Sequence, residues 1–302
     1  MKQQLVHLFR GLYIIIPLKK YIFLLIRIMY TPNKRMINQL FFGGKFKVKT
    51  DAYEFFMSGH NKRGLSIENM LFWNYKNPQN SWEKQTHQIW TVLAKKAKVV
   101  LDIGANTGYY SILSKAINPN CKVLGFEPIP HIYSWYRENC SINNFDIKCY
   151  NQALAEKKGE TEIFLENSKN NIYSASLSEE FAASHSSKKV YPVKIQCNTL
   201  ENIIEENSLS EINIMKIDVE GYEAEVLKGM GQYLQKFKPS LFIEVLSEDL
   251  GEKLTELLLP LGYMFFNLNK GDKPKLNKTI TVSEDFNYFI CQPSVAIELN
   301  LT

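Results

Sequence analysis

The sequence predicts an α/β fold with a mostly parallel sheet covered by helices on both faces, and three observations carry that prediction. From Ala97 onward, apolar runs alternate with stretches of helical length and pattern. The first run, "KVVLDI", is continuously apolar, as a parallel strand buried on both faces must be. Five strand ends carry an acid or an amide, at Asp102, Glu127, Gln152, Asp218 and Glu244. Open α/β sheets receive their ligands outside the carboxyl ends of their strands, so these five residues line one rim.

The elements follow in order. Residues 1–40 read as helical, ending in a loop near "YTPNK". Residues 41–60, "FFGGKFKVKTDAYEFFMSGH", alternate apolar and polar with glycines between, the pattern of a short antiparallel β segment. The next stretch reads as a loop through Pro78 and Asn80, with a helix starting near Ser81. "KVVLDI" then opens the alternation, followed by the helix "YYSILSKAI", the strand "CKVLGFEP", the helix "HIYSWYRENCSIN" and the strand "DIKCYNQAL". Residues 156–198 break the rhythm. There "ETEIFLE", "NIYSASL" and "VYPVKIQC" read as short strands of an insertion. "TLENIIEEN" is a helix capped by Thr199. "INIMKIDVEG" is a fourth strand, "YEAEVLKGMGQYL" a helix, and "SLFIEVL" a fifth strand before a helix through Leu259. "YMFFNL" and "FNYFICQ" close the chain. This order divides it into a basic helical and β extension, residues 1–80, and an α/β domain, residues 81–302.

At 302 residues and 45% hydrophobic content the chain can bury one large α/β core with additions. Its net charge of +5 is unevenly placed. Residues 1–50 hold ten of the 36 Lys/Arg and none of the 31 Asp/Glu, so a basic head precedes a mildly acidic body. Such a head suggests an anionic surface as partner. The five cysteines are scattered and form no CxxC, which excludes a disulfide framework or a cysteine zinc site and reads as reduced cytosolic thiols.

"LVHLFRGLYIIIPLKKYIFLLIRIMY" is strongly apolar but interrupted by Arg10, Pro17, Lys19, Lys20 and Arg27. Its longest uncharged run, Gly11 to Leu18, falls far short of the roughly 20 residues of a spanning helix. Lys19-Lys20 stand where a signal peptide needs small residues. Two readings of residues 1–30 remain. One has helices packed on the domain with their lysines in water. The other has basic amphipathic helices lying peripherally on an anionic membrane. Packing is the commoner use of an apolar helix face; the absence of any acid keeps the membrane reading open.

The loop "VVLDIGANTG" has the form D-x-G-x-N-x-G. The three glycine places of the dinucleotide fingerprint hold Gly104, Asn106 and Tyr109, and the phosphate loop G-x-x-x-x-G-K-[ST] is absent. Asp102 would repel a pyrophosphate and suits a ligand with a positive amino group. S-adenosylmethionine (SAM) carries both an ammonium and a sulfonium. Gly104 lets the backbone approach such a ligand. Glu127, 23 residues after Gly104, can accept hydrogen bonds from both ribose hydroxyls. Nicotinamide enzymes share that last feature, so a dinucleotide remains the alternative.

Five segments in order, "VVLDIGANTGYYSI", "VLGFEPIP", "NQALAEKKG", "IMKIDVEGYEAEVLKGM" and "LFIEV", resemble the FkbM family of SAM-dependent methyltransferases across about residues 82–292. The asparagine of D-I-G-A-N-x-G and the D-V-E-G-x-E segment are typical of that family. The resemblance implies a Rossmann-like class I methyltransferase fold. Its mostly parallel seven-stranded sheet would have an antiparallel final strand. It also implies O-methylation of a hydroxyl, since family members act on macrolides, sugars and glycans. By position it places Asp102, Gly104, Asn106 and Gly108 at the methionine end of SAM. Glu127 would hold the ribose, Gln152 and Ala153 would border the adenine, and Glu83 would reach the cofactor. Ser111 and Pro128 complete the implied cofactor-binding set.

Methyl transfer depends on holding two reactants in line at short range. A protonated sugar hydroxyl is a poor nucleophile, so a nearby base helps. The candidates are Asp218, Glu220 and Glu244, with His131 and His87 behind them. Asp218 ends an apolar strand, where a carboxylate needs a partner. Glu220 could be no more than a favourable acid at a helix start. Glu223 and Glu225 read as a solvated face, Lys216 as a partner for an acid, His87 as a packing residue, and His131 as a cap or shield over the adenosine. Asp218 and Glu220 would suit magnesium, but two acids are thin evidence and no metal is assigned. Trp73, Tyr75, Trp82 and Trp90 could stack on a sugar, though core packing is commoner. The reading is a cytoplasmic SAM-dependent O-methyltransferase. Its acceptor would be a hydroxyl of a sugar, glycan or glycolipid precursor. The alternatives are a catalytically inactive binding protein of this fold and a NAD-dependent oxidoreductase. Nucleic acid is not expected, since the body is acidic and no N-P-P-Y motif is present.

Overall fold

The computed structural model describes residues 19–29, 32–33, 37, 40, 42–50, 52–60, 66–74, 83–166, 175–176, 190–269 and 273–302. Of the basic head it describes helix α1 (Lys19–Met29); residues 1–18 lie outside the described residues. The alternating stretch that follows forms a hairpin, β1 (Gly44–Lys49) and β2 (Glu54–Gly59), paired from Gly44↔Gly59 to Lys49↔Glu54. Phe46 and Val48 point inward and the three lysines outward or to the rim. The free edge of β2 is covered rather than bare. Asn139 Oδ1 accepts from Ser58 N at 2.8 Å, and Asn143 Oδ1 from Phe56 N at 2.7 Å.

The stretch expected to be a loop contains a helix, α2 (Ile67–Trp73). Ser66 starts it by accepting from Asn69 N, a hydroxyl cap four residues before an apolar cluster. The expected cap at Ser81 lies outside the described residues. Helix α3 (Lys84–Ala94) starts at Glu83, whose φ is 43°.

The α/β alternation appears as expected through β3 (Val99–Ile103), α4 (Tyr109–Ile117), β4 (Lys122–Phe126) and α5 (Pro130–Ile142). "DIKCYNQAL" is two strands, not one: β5 (Lys148–Tyr150) and β6 (Ala153–Leu154). Asn151 turns the chain between them, because its Nδ2 donates to the carbonyls of Glu127 and Pro128, each at 2.9 Å. β6 joins β7 (Gly159–Glu166), β8 (Ala175–Ser176) and β9 (Val190–Asn198) in a small sheet of order β6-β9-β7-β8, the expected β insertion. Helix α6 (Leu200–Glu206) is capped by the Thr199 hydroxyl, which accepts from Asn202 N. After β10 (Ile214–Ile217) the expected single helix is two, α7 (Glu223–Lys228) and α8 (Gln232–Phe237), divided where Gly231 takes a φ of +54°. β11 (Ser240–Glu244), α9 (Glu248–Leu258), β12 (Met264–Asn267), β13 (Lys275–Asn277), β14 (Asn287–Cys291) and α10 (Pro293–Glu298) complete the chain.

The main sheet has the order β13-β12-β14-β11-β10-β3-β4-β5. β5, β4, β3, β10 and β11 run parallel, and β14 inserts antiparallel between β11 and β12. That is the expected seven-stranded arrangement, and β13 adds an eighth strand at the edge. Alternation along β3 feeds two cores. Leu101 and Ile103 pack with Leu124, Leu227 and Leu254. Val100 packs with Trp90, Ile112 and Phe72, so the N-terminal hairpin and α2 share a core with the sheet. Trp73 and Trp90 are fully buried, and Trp90 Nε1 donates to Ser114 Oγ at 3.0 Å. These two tryptophans are core residues, not a sugar platform; Tyr75 and Trp82 lie outside the described residues. All five cysteines are free thiols. Among the described residues no helix is long and apolar enough to cross a membrane.

The fold tolerates no side chain at Gly125 in β4. A Cβ there would lie 1.9 Å from the hydroxyl and 2.7 Å from Cζ of the fully buried Tyr136. Gly125→Ala should therefore cost about 1–3 kcal/mol of stability. Urea denaturation checks this; an unchanged midpoint and slope would mean that Tyr136 moves freely.

Candidate cofactor and acceptor site

The register of the sheet assembles the site. Asp102 in β3 lies beside Gly125 in β4 and Lys216 in β10, so Asp102 and Lys216 project from the same face. Asp102 is almost wholly buried. Its Oδ2 accepts from Ser111 N at 2.8 Å and Ser111 Oγ at 2.7 Å, which caps the first turn of α4 from the strand. Ser111 Oγ in turn accepts from Tyr136 OH at 2.7 Å. Oδ1 stays outside these bonds. Burial raises the Asp102 pKa against the lowering effect of the Ser111 bonds and of Lys216.

The two glycines of the loop answer to packing. Gly104 has φ +75°, and a Cβ there would lie 1.9 Å from the carbonyl oxygen of Asp218. Gly108 has φ +87°, and its Cβ would enter the Tyr136 ring. Asn106 adopts φ 50°, a left-handed conformation that asparagine tolerates better than most residues. Its N–H donates to Glu127 Oε2 at 3.0 Å, and Ile129 N donates to Oε1 at 2.9 Å. Glu127 thus ties the tip of the β3–α4 loop to the end of β4. Burial pushes its pKa up to about 8. Pro128 follows it, half-buried, while Gln152 and buried Ala153 lie at the start of β6.

At the ends of β10 and β11 the structure brings together Asp218, Glu220 and Glu244. One carboxylate oxygen from each falls within 4.8 Å of the others. Lys216 is the counter-ion that the sequence suggested: its Nζ lies 2.7 Å from Asp218 Oδ2 and 5.3 Å from the centre of the Tyr110 ring. Burial alone would lower the Lys216 pKa. The charges of Asp218 and Glu83 outweigh that and hold it above the ordinary lysine value. Glu220 has φ 57° and Glu244 ends β11; burial first and Asp218 next push each to a pKa of about 8. Glu83 joins from α3, where its Oε2 accepts from Tyr110 OH at 2.6 Å. Its pKa is raised by burial and lowered by Lys216.

Glu223 corrects the sequence reading. It is fully buried, not on a solvated face. Its Oε1 accepts from Val219 N at 3.0 Å and Gly221 N at 3.2 Å, so it braces the loop that carries Glu220. Tyr110 was also missed; its only signal was a place in the first turn after Gly108. His87 is buried, as a packing residue should be, and burial lowers its pKa to about 4. His131 is exposed on α5 with Trp135 edge-on against it, and it makes no described contact with the carboxylates. The three converging carboxylates have the spacing a divalent cation needs, a third ligand that the two-acid sequence argument lacked.

The donor set fits SAM. Acids end β3, β4, β10 and β11, and the one lysine among them is bound to Asp218, so a ligand with an ammonium and a sulfonium meets carboxyl groups that its positive charge helps to ionise. This strand order, with an acid ending β3, a glycine loop into α4 and an acid ending β4, defines the SAM-dependent methyltransferases of the Rossmann-like class. The particular family follows from comparison. Residues 102–265, over half of the chain, match the model of the "Methyltransferase FkbM domain", and the chain belongs to that family. The cofactor is accordingly S-adenosylmethionine. "Methyltransferase sdnD" of Sordaria araneosa is 26% identical over 191 residues, which cover 52% of this chain and 74% of that one. "2-O-methyltransferase NoeI" of Sinorhizobium fredii is 25% identical over 161 residues, 51% of this chain and 65% of that one. The crystal structure of methyltransferase FkbM from Methylobacillus flagellatus matches with a TM-score of 0.42 and 17% identity over 74% of this chain and 54% of that chain. The chain thus spans little more than half the length of that solved relative.

Two outcomes are expected. Glu127→Gln replaces an acceptor by an amide N–H that faces Asn106 N or Ile129 N. It should weaken SAM binding about ten- to hundredfold by calorimetry, the scale of a lost hydrogen bond to a charged group. Unchanged affinity would remove Glu127 from the cofactor site. Glu127, Glu220, Glu223 and Glu244 all have folded pKa values of about 8, above the ordinary glutamate value of 4.5. The folded state therefore binds more protons than the unfolded chain between those values, and stability should fall as pH rises from about 5 to 8. A denaturation series that instead shows stability rising over this window would contradict the burial of these four acids.

Proposed function

We propose that this methyltransferase acts on oxygen, transferring the methyl group to a hydroxyl of a sugar, glycan or glycolipid precursor. The convergence of Asp218, Glu220 and Glu244 beside the cofactor loop carries the reading. An oxygen acceptor must lose a proton, and a carboxylate cluster at the strand ends is equipped to take it. The matched relative named as a 2-O-methyltransferase supports an oxygen acceptor.

SAM supplies an electrophilic methyl group on a sulfonium. The chain's own residues do the rest. Asp102, Glu127 and the Gly104–Gly108 loop would hold the cofactor, and Glu83 would add a carboxylate from α3. Lys216 fixes Asp218 through the 2.7 Å ion pair, which leaves that oxygen unsuited to take a proton. Glu220 and Glu244, with pKa values of about 8, have the proton affinity a base near neutral pH needs. As the acceptor oxygen gains the methyl group, its proton passes to one of these carboxylates. The charge balances: a cationic donor and a carboxylate become neutral products.

The test is methylation of sugar and glycan acceptors followed by S-adenosylhomocysteine release, as a function of pH. The base must be ionised, so the rate should rise about tenfold per pH unit below 8 and level above it. Glu220→Gln or Glu244→Gln should abolish that limb and most of the rate in whichever residue is the base, while SAM affinity holds. A flat profile with both variants active would remove the carboxylates from proton transfer. Binding of SAM without turnover on any hydroxyl acceptor would favour the inactive binding protein.

A further inference from the structure

Helix α1 carries more apolar surface than its packing on the domain covers. At about 100° per residue, Tyr21, Ile22, Leu25, Ile28 and Met29 fall within one arc of about 120°. That arc faces outward: Tyr21 is 62%, Leu25 63%, Ile28 50% and Met29 80% exposed. The opposite face packs on the domain. Arg27 is 6% exposed with its guanidinium 4.7 Å above the Phe72 ring, and Phe23 lies edge-on to Trp73 at 5.2 Å. Leu24 and Ile26 also pack toward the domain core, so the helix is apolar on both sides, and Tyr21, Ile22, Leu25, Ile28 and Met29 are left as an exposed apolar stripe of the kind that marks an interaction surface.

We infer that this stripe is a docking surface for an anionic lipid bilayer, with α1 lying in the interface and the rest of the domain above it. Charge selects this occupant over a second copy of the chain. The stripe belongs to a segment, residues 1–50, with ten Lys/Arg and no acid, whereas the remaining chain is acidic. A bilayer with anionic headgroups accepts the apolar side chains and attracts a segment of this composition. A symmetric contact would place two such basic segments against each other. The inference does not depend on which acceptor is methylated.

The test is flotation of the full chain with phosphatidylcholine vesicles, with and without phosphatidylglycerol. Binding is expected only to the anionic vesicles. It should fall at least tenfold in about 1 M salt, where the screening length is about 3 Å. Leu25→Glu with Ile28→Glu should lose binding at least tenfold while SAM affinity, which reports the fold, stays unchanged. Leu25→Ser with Ile28→Ser should give a smaller loss. Three results would overturn the inference: no binding to anionic vesicles at low salt, undiminished binding by the double glutamate variant, or a concentration-dependent dimer that the same variant abolishes in a chain that ignores vesicles.

Discussion

One buried ammonium holds the acidic end of the sheet together. Glu83, Asp218, Glu220 and Glu244 approach from α3, the β10 end, the loop beyond it and the β11 end, and each lowers the free energy of Lys216 while raising that of its acidic neighbours. Lys216 reaches them because it stands in the middle of a strand, with its stem among apolar side chains and its head over Tyr110. Taking such charges out of water costs several kcal/mol per ion, which only close pairing offsets. The pairing is incomplete by design of the count: there is one cation for four acids. The remainder is met partly by protons, as the pKa values near 8 record, and is open to be met by a cationic ligand.

The same economy governs the loop between β3 and α4. Two main-chain segments, at Gly104 and at Asp218, touch where a methyl group would not fit, so the β3–α4 loop and the end of β10 are one packed unit. Glu127 closes the other side by taking N–H groups from Asn106 and Ile129. Asp102 fixes the helix that follows through Ser111, and Tyr136 locks Ser111 from behind. A shift of any of these residues would move both the β3–α4 loop and the carboxylates at the ends of β10 and β11. That explains why so many of the polar groups here are buried and bonded to the main chain.

The strand ends were legible in the sequence because acids at the ends of continuous apolar runs have few structural uses. The rim from Asp102 to Glu244 could be read from those acids, and the parallel sheet from the alternation of apolar runs with helical stretches. What the sequence could not show is which oxygen is already occupied. The glycines at 104 and 108 invited a ligand explanation, while their φ angles and the Asp218 and Tyr136 contacts give a packing one. Glu223 sits in a run of acids that reads as solvated, yet a two-residue turn folds it back onto Val219 and Gly221. Local periodicity also misjudged "YEAEVLKGMGQYL" and "DIKCYNQAL", where Gly231 and Asn151 break elements whose apolar pattern runs on. In each case a long-range contact or a single backbone angle decides, and neither leaves a trace in spacing.

The charge state of the rim bears on what kind of acceptor the site admits. Three carboxyl groups within 4.8 Å, with the one lysine beside them already taken by Asp218, leave a phosphate or a carboxylate brought to the same place with no cation to pair with. A neutral polyol meets no such penalty, and its hydroxyls can donate to each acid in turn. Loss of the acceptor's proton also works in the site's favour, because the proton arrives where mutual repulsion has raised the affinity for it. The exclusion is local: an anionic group several ångströms along the same acceptor would lie outside the cluster. On the proposed assignment of the site, the rim therefore favours a neutral hydroxyl at the reacting centre over an anionic group.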